Sequence, residues 1–179
     1  MKYLVLYQSK YGNTKQYADW ITEELNATEM NFKEVSAEDY KNTDVIIFGG
    51  GLYAGRMSGL KRFVKQYHLL KEKKVVFFTC GLLDPSDSKM VKHIEKGLNQ
   101  MMPSDMQKNV KQFHFRAGIN YSKLCFLHRA MMMFLRKSIL KKDNAERTKE
   151  EKFLLETYGE TLSFHDRKAI SSLIKYVQR

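Results

Sequence analysis

The chain has 179 residues, 43% of them hydrophobic, with ten glycines, two prolines and a formal net charge of +11 at pH 7. That length suits one domain with a sizeable core, and the composition excludes a collagen-like, disordered or Pro/Gly-linker chain. No apolar run approaches the ~18 residues of a membrane span. The chain opens directly on a strand pattern with no signal-peptide pattern ahead of it, and Cys80 and Cys125 show neither disulfide nor metal-ligand spacing. The expectation is therefore a reduced, cytoplasmic protein. The charge is uneven: residues 1–107 carry 15 Lys/Arg and 13 Asp/Glu, whereas residues 108–179 carry 16 and 7. A basic surface suits anionic partners such as nucleic acid, acidic lipid headgroups, acidic proteins or carboxylate substrates, or it is simply a solvated face.

Taken in chain order, "KYLVLY" (2–7) is a continuous apolar run, as expected of a strand covered on both faces. Residues 13–26 have helical spacing, with Tyr17, Ile21 and Leu25 on one face. "MNFKEV" (30–35) is a weaker strand, followed by a short helix or turn. "TDVIIFGGG" (43–51) is the clearest buried strand. Residues 57–73 return to helical spacing, and "KVVFFTCG" (74–81) is another buried strand. Residues 86–102 predict a helix with a serine or aspartate available as its cap. "NVKQFHFRAG" (109–118) predicts the last strand and 167–178 a closing amphipathic helix. Strands alternating with helices imply an α/β fold, a doubly wound parallel sheet with helices on both faces.

In such a sheet, ligands bind beyond the carboxyl ends of the strands where the strand order reverses. In the five-strand order 2-1-3-4-5 that point lies between the strands ending in "SKYGNT" (9–14) and "GGGLYAGRMS" (49–58), and "TCGLLDPSD" (79–87) ends the adjacent strand. The first loop has one cation, Lys10, yet its chemistry suits a phosphate. Asn13 and Thr14 open a helix whose first amides lack intrahelical partners and carry partial positive charge, and an anion can be held there. Ser9, Thr14 and Asn13 can add donors, and Gly12 lets the backbone close on the anion. An ordinary helix cap is the plainer reading of the same residues. A nucleoside-triphosphate loop is excluded, because no glycine-rich loop ending in Gly-Lys-Ser/Thr occurs. Gly49, Gly51 and Ala54 fit a dinucleotide fingerprint, but their strand is not the first of its unit and no clear acidic partner follows. His68, His93, His114, His128 and His165 show no ligand spacing and are expected at the surface or at caps. Cys80 is either a thiol beside a ligand or a small buried strand-end residue.

The pattern Ser9-x-x-Gly12-x-Thr14, directly after an N-terminal strand, resembles the phosphate loop of the flavodoxins. "GGGLYAG" stands where their second loop stands and "TCGLLD" where the third does. The resemblance is closest to the menaquinone-dependent protoporphyrinogen oxidase-like flavodoxins, which share a basic insertion after the fifth strand, here about 120–148, and a start to the last helix similar to "FHDRKA" (164–169). It implies a single flavodoxin-like domain over 1–179 that binds FMN without covalent linkage. Carried over by position, Ser9, Lys10, Tyr11, Gly12, Asn13 and Thr14 would hold the phosphate. Leu52, Tyr53, Ala54 and Gly55 would border the isoalloxazine, and Thr79, Cys80, Gly81, Leu82 and Leu83 its other edge. No residue is implied as an acid–base catalyst and no metal is expected. Many flavodoxins place an aromatic residue and an aspartate in the third loop; this chain has Asp84 without the aromatic, which argues against their very low reduction potential.

Two functions from different classes of redox protein follow. One is an FMN-dependent oxidoreductase, similar to protoporphyrinogen oxidase, passing electrons from a reduced substrate to an acceptor such as a quinone. The other is an electron carrier that docks to a protein redox partner and has no substrate of its own. No basic-aromatic pattern of a known nucleic-acid module occurs, so no nucleic acid is expected. From 121 to 142 the chain has six Lys/Arg and no acid. On a helix, Leu124, Leu127, Met131, Phe134 and Leu135 form one apolar stripe, and Phe126, Met133 and Leu140 form a second row with Arg129 and Arg136 beside it. The second row is either core, if the insertion folds back on itself, or peripheral contact with an anionic membrane, at the inner face, or a seat for a protein or porphyrin-like anion.

Overall fold

In a computed structural model, which describes residues 1–70, 72–82 and 84–179, the chain forms two compact units. The first comprises Met1–Ala117 with His165–Arg179, and the second comprises Gly118–Phe164. In chain order the first unit holds β1 (Tyr3–Gln8), α1 (Asn13–Leu25), β2 (Thr28–Asn31), α2 (Ala37–Lys41), β3 (Val45–Tyr53), β4 (Arg56–Met57), α3 (Leu60–Gln66), β5 (Lys74–Gly81), α4 (Ser88–Asn99), α5 (Ser104–Asn109) and β6 (Lys111–Arg116). The second unit holds β7 (Ile119–Asn120), α6 (Phe126–Leu140), α7 (Lys149–Glu156) and β8 (Thr161–Leu162), after which α8 (Ser171–Val177) returns to the first.

The main sheet has the order β2-β1-β3-β5-β6, with every neighbouring pair parallel. Setting aside the two-residue β4, which pairs antiparallel with β3, this is the expected order 2-1-3-4-5. Alternation along the strands splits the core into two layers. Leu4, Leu6, Ile46, Phe48, Val75 and Phe77 face Tyr40, Leu60, Phe63, Ile94, Leu98 and Met106 of α2 to α5. Val5, Ile47, Val76 and Phe78 face Tyr17, Ala18, Ile21 and Leu25 of α1 and Leu173, Ile174 and Val177 of α8. The apolar runs read as buried on both faces are so, because helices cover both sides.

Three of the differences from the expected elements have a clear local cause. β2 stops at Asn31, whose side chain accepts from the Lys33 N–H at 3.0 Å and whose carbonyl accepts from the Glu34 N–H at 2.9 Å; this local turn ends the ladder and leaves Phe32 and Val35 as buried loop residues. Helix α3 covers only part of 57–73, because Arg56–Met57 folds back on Leu52–Tyr53 as a hairpin. The last strand gives up Asn109 to α5, a helix that starts after Pro103.

The second unit is built around a two-stranded antiparallel sheet of β7 and β8, in which Ile119 pairs with Leu162. Gly118 is required there, since any side chain would run into the Leu162 carbonyl. Inside this unit Tyr121 packs on Tyr158 and Phe153 on Phe164. The Thr148–Glu151 capping box starts α7.

Candidate functional site

The three loops after β1, β3 and β5 leave neighbouring strand ends, because the register sets Gln8 against Gly50, Gly50 against Thr79, and Gly51 against Cys80. The first loop turns on Gly12, which has φ +91° and occupies the N-cap of α1. Only glycine takes this conformation without strain. The Gly12 N–H donates to the Ser9 hydroxyl oxygen at 3.0 Å, and the Gly12 carbonyl accepts from Gln16 at 3.0 Å. Gly12 has no side chain to cap the first-turn amides of α1, and no acid stands in that turn. α4 is the contrast: Asp87 caps it, accepting from the Lys89 and Met90 amides at 2.8 and 3.3 Å. The N-terminal end of α1 therefore has no side-chain cap at Gly12 and no first-turn acid, the arrangement in which a helix end can receive an anion. A methyl group on Gly12 would meet no atom within 4 Å, so the loop is open on that side.

Thr14 lies differently. Its side chain is buried and hydrogen-bonds with the Cys80 thiol. Burial pushes that thiol far above the usual thiol range, so Cys80 is an inert core group sharing the α1 layer. Thr79 is also buried, and its hydroxyl lies 2.8 Å from Nδ1 of His114. Of the residues at and after the end of β5 carried over to the site, Gly81 and Leu82 are partly open; Leu83 lies outside the described residues.

The second loop is a hairpin turn. Ala54 has φ +47° and Gly55 φ +74°, the paired left-handed conformation of a two-residue hairpin whose twist matches its strands. An alanine there is strained by about 1 kcal/mol. The preceding glycines have packing roles. A side chain on Gly49 would collide with the Phe78 ring, one on Gly50 with Met57 and the Ser58 carbonyl, and one on Gly51 with the Tyr53 ring. Gly49 makes room for the core ring of Phe78, and Gly50 and Gly51 let the hairpin fold back, which accounts for the run without a dinucleotide. Tyr53 meets Tyr11 edge to face, with ring centroids 6.3 Å apart, and so joins the first two loops. Lys10 is exposed, with its ammonium 5.7 Å from the Tyr11 ring centroid. Leu52 reaches the third loop, since a Cβ on Gly81 would lie 3.4 Å from that of Leu52.

The third loop is tied down by Arg116, at the carboxyl end of β6. Its Nε donates to the Leu82 carbonyl at 3.3 Å, and its guanidinium pairs with the Asp84 carboxylate at 3.2 Å. The Ser86 amide and hydroxyl, with the Arg116 charge behind them, hold the Asp84 carboxyl below the usual carboxylate range. The Arg116 carbonyl in turn accepts from the buried Tyr17 hydroxyl at 2.6 Å, and the Tyr17 oxygen accepts from the Asp166 N–H at 3.2 Å. Sequence reading missed Arg116; its position at the end of the last strand, level with Gly81, was the available signal. It also placed His114 at the surface or at a cap. His114 is instead buried on β6, with Nε2 3.9 Å from the Glu95 carboxylate, and burial lowers its pKa below the ordinary histidine value. Among the described residues no group of three His, Cys, Asp or Glu could hold a metal.

A family model for the flavodoxin domain matches residues 4–147. This chain belongs to the flavodoxin-domain family. It is similar to an uncharacterized protein of Methanocaldococcus jannaschii, 36% identical over 83 residues that cover 45% of this chain and 55% of the relative; the chain spans about half of that relative's length. Among solved structures it is similar to the Streptococcus pneumoniae TIGR4 flavodoxin, at 16% identity and TM-score 0.46, covering 65% of this chain and 82% of the other. A flavoprotein in complex with FMN from Lactobacillus acidophilus NCFM is 17% identical with TM-score 0.40, covering 64% and 91%. FMN is the cofactor that membership of the flavodoxin family supports. The first loop fits its phosphate: the α1 end has no cap side chain and no acid, and the Ser9 hydroxyl, already an acceptor for Gly12, keeps its proton to donate.

Proposed function

We propose that this chain is an FMN-dependent oxidoreductase, similar to the protoporphyrinogen oxidase-like flavodoxins, that passes electrons from a reduced donor to an acceptor such as a quinone. Two electrons and two protons leave the donor and reduce the quinone to the quinol. FMN, when bound, supplies the redox chemistry. Ser9, Asn13 and the α1 amides hold its phosphate, with Gly12 shaping the loop and Lys10 adding positive charge. Tyr11, Leu52, Tyr53, Ala54 and Gly55 form one wall, and Gly81 and Leu82 the other. Thr14, Thr79 and Cys80 support these loops from the core.

The Arg116–Asp84 pair is the observation that carries the choice of acceptor. A carboxylate in the third loop disfavours added negative charge on a neighbouring flavin; here that carboxylate is paired with a guanidinium. Neutralising it favours a higher potential, which suits delivery to a quinone better than very-low-potential carriage. The test is an absorption spectrum of the purified chain with added FMN, then anaerobic reduction and mixing with a soluble quinone. A bound flavin that the quinone reoxidises within the assay supports the reading. Failure to take up FMN overturns the flavin assignment. Uptake without reoxidation by quinone overturns the acceptor and leaves electron carriage to a protein partner.

A further inference from the structure

Helix α6 packs by a narrow side. Ile139 is its one buried residue, flanked by half-buried His128, Met131 and Met132. On the opposite side five apolar residues are uncovered, interleaved with Lys137 and Lys141: Phe126 is 89% exposed, Leu127 and Phe134 each 64%, Leu140 46% and Met133 40%. At about 100° per residue these five side chains share an arc of roughly 140°. They come from both of the apolar rows read from the sequence, so neither row is simply core. Six of the eight large hydrophobic residues exposed in the described chain lie on this one helix. Exposed apolar side chains concentrated on one helix in this way mark an interaction surface.

The charges in and around the arc select the occupant. Lys137 and Lys141 project from within it, and Arg129 and Arg136 border one edge. Arg136 also stacks on Tyr158, its guanidinium 5.1 Å from the ring centroid, and Lys142 pairs with Glu151. Arg129, Lys137 and Lys141 are exposed and carry no ion pair among the described residues. Residues 121–142 contain no acid. A second copy of α6 would bring the same cations against these, so self-pairing is opposed by like-charge repulsion. No helix of the described residues is long and apolar enough to cross a membrane.

We propose that α6 is an interfacial anchor, lying in the plane of an anionic lipid surface with Phe126, Leu127, Met133, Phe134 and Leu140 among the acyl chains and Arg129, Lys137 and Lys141 on the headgroups. Apolar area supplies the insertion and the cations supply the preference for anionic lipid. The anchor stands on α6 alone and does not require the flavin reading. A chain held there meets a lipid-soluble acceptor in the phase where that acceptor resides.

The test is cosedimentation of the full chain with phosphatidylcholine vesicles and with vesicles of phosphatidylcholine mixed with phosphatidylglycerol, at low and high salt. The expected result is binding to the mixed vesicles only, weakened by salt. The triple variant Arg129→Gln, Lys137→Gln, Lys141→Gln should lower partitioning about a hundredfold, at roughly fivefold per cation. Phe126→Ser with Phe134→Ser should abolish what remains. All five positions are exposed, so unfolding transitions should match wild type. Absence of binding to either vesicle overturns the proposal and leaves an acidic protein as the occupant. Equal binding to both vesicles, or full binding by the triple variant, overturns it as well. FMN uptake read on the same samples separates this outcome from a failure of the flavin site.

Discussion

Helices α1 and α6 are similar in length, 13 and 15 residues, and both carry apolar residues at helical spacing. They reach opposite ends. α1 buries Tyr17, Ala18, Ile21 and Leu25 against the sheet and shows Lys15, Gln16, Glu23 and Glu24 to water. α6 buries Ile139 alone and shows Phe126, Leu127 and Phe134. α1 is covered because it is the crossover between two parallel strands, which places it on the sheet face. α6 follows a two-residue strand that offers no sheet face of useful width. Apolar periodicity therefore marks a surface that needs a partner, and topology decides whether the chain itself supplies one.

The sharpest way to break this comparison is to truncate one apolar residue on each helix. Ile21→Ala should cost about 2–5 kcal/mol, as for a fully buried aliphatic side chain, whereas Phe126→Ala should change stability by less than about 0.5 kcal/mol. Denaturant unfolding of both variants measures the difference. A large loss from Phe126→Ala would mean that the α6 face is covered within the protein.

The end of α1 is tested separately from its face. Ser9→Ala with Asn13→Ala removes two donors to an anion, each worth about 1.5 kcal/mol or more, so FMN affinity should fall more than tenfold. Unfolding should change far less than in Ile21→Ala. Fluorescence titration with FMN reads the affinity, and unchanged binding would remove the phosphate from this loop.

α4 sharpens the contrast, because its end is already capped from within. Asp87→Ala should cost about 1 kcal/mol of stability and leave FMN affinity alone. A parallel loss of FMN binding would show that the two helix ends are coupled through the third loop.

The smallest effect expected is a pH dependence. His114 has its pKa lowered from 6.5 by burial, so the unfolded chain binds its proton more readily. Its contribution to stability is therefore complete above about pH 6.5 and is lost as the pH falls towards the folded value. His114→Asn should flatten the decline of stability with pH in that window. Denaturation midpoints at several values between neutral and mildly acidic pH measure the slope, and an unchanged slope would assign the dependence to other groups.

The sequence by itself determined the parallel sheet and marked the first loop as a candidate anion site. Continuous apolar runs such as "KYLVLY" and "VVFF" stay out of water only between two helical layers, and the hydroxyls, amide and glycine of "SKYGNT" suit a helix end that meets an anion. Tertiary structure decided what each of these residues does. Thr14 and Cys80 are far apart in the chain, and only the β3–β5 pairing brings Cys80 under the loop, where Thr14 turns inward to meet it. The glycines of β3 match the spacing of a nucleotide fingerprint only loosely, and Phe78 and Tyr53 fill the space they leave. Arg116 becomes a loop anchor only when β6 sets it level with Gly81, and His114 becomes a core residue only when the same strand is covered by α4. The contacts that decide Thr14, Arg116 and His114 join residues distant in the chain, and local spacing carries no record of such contacts.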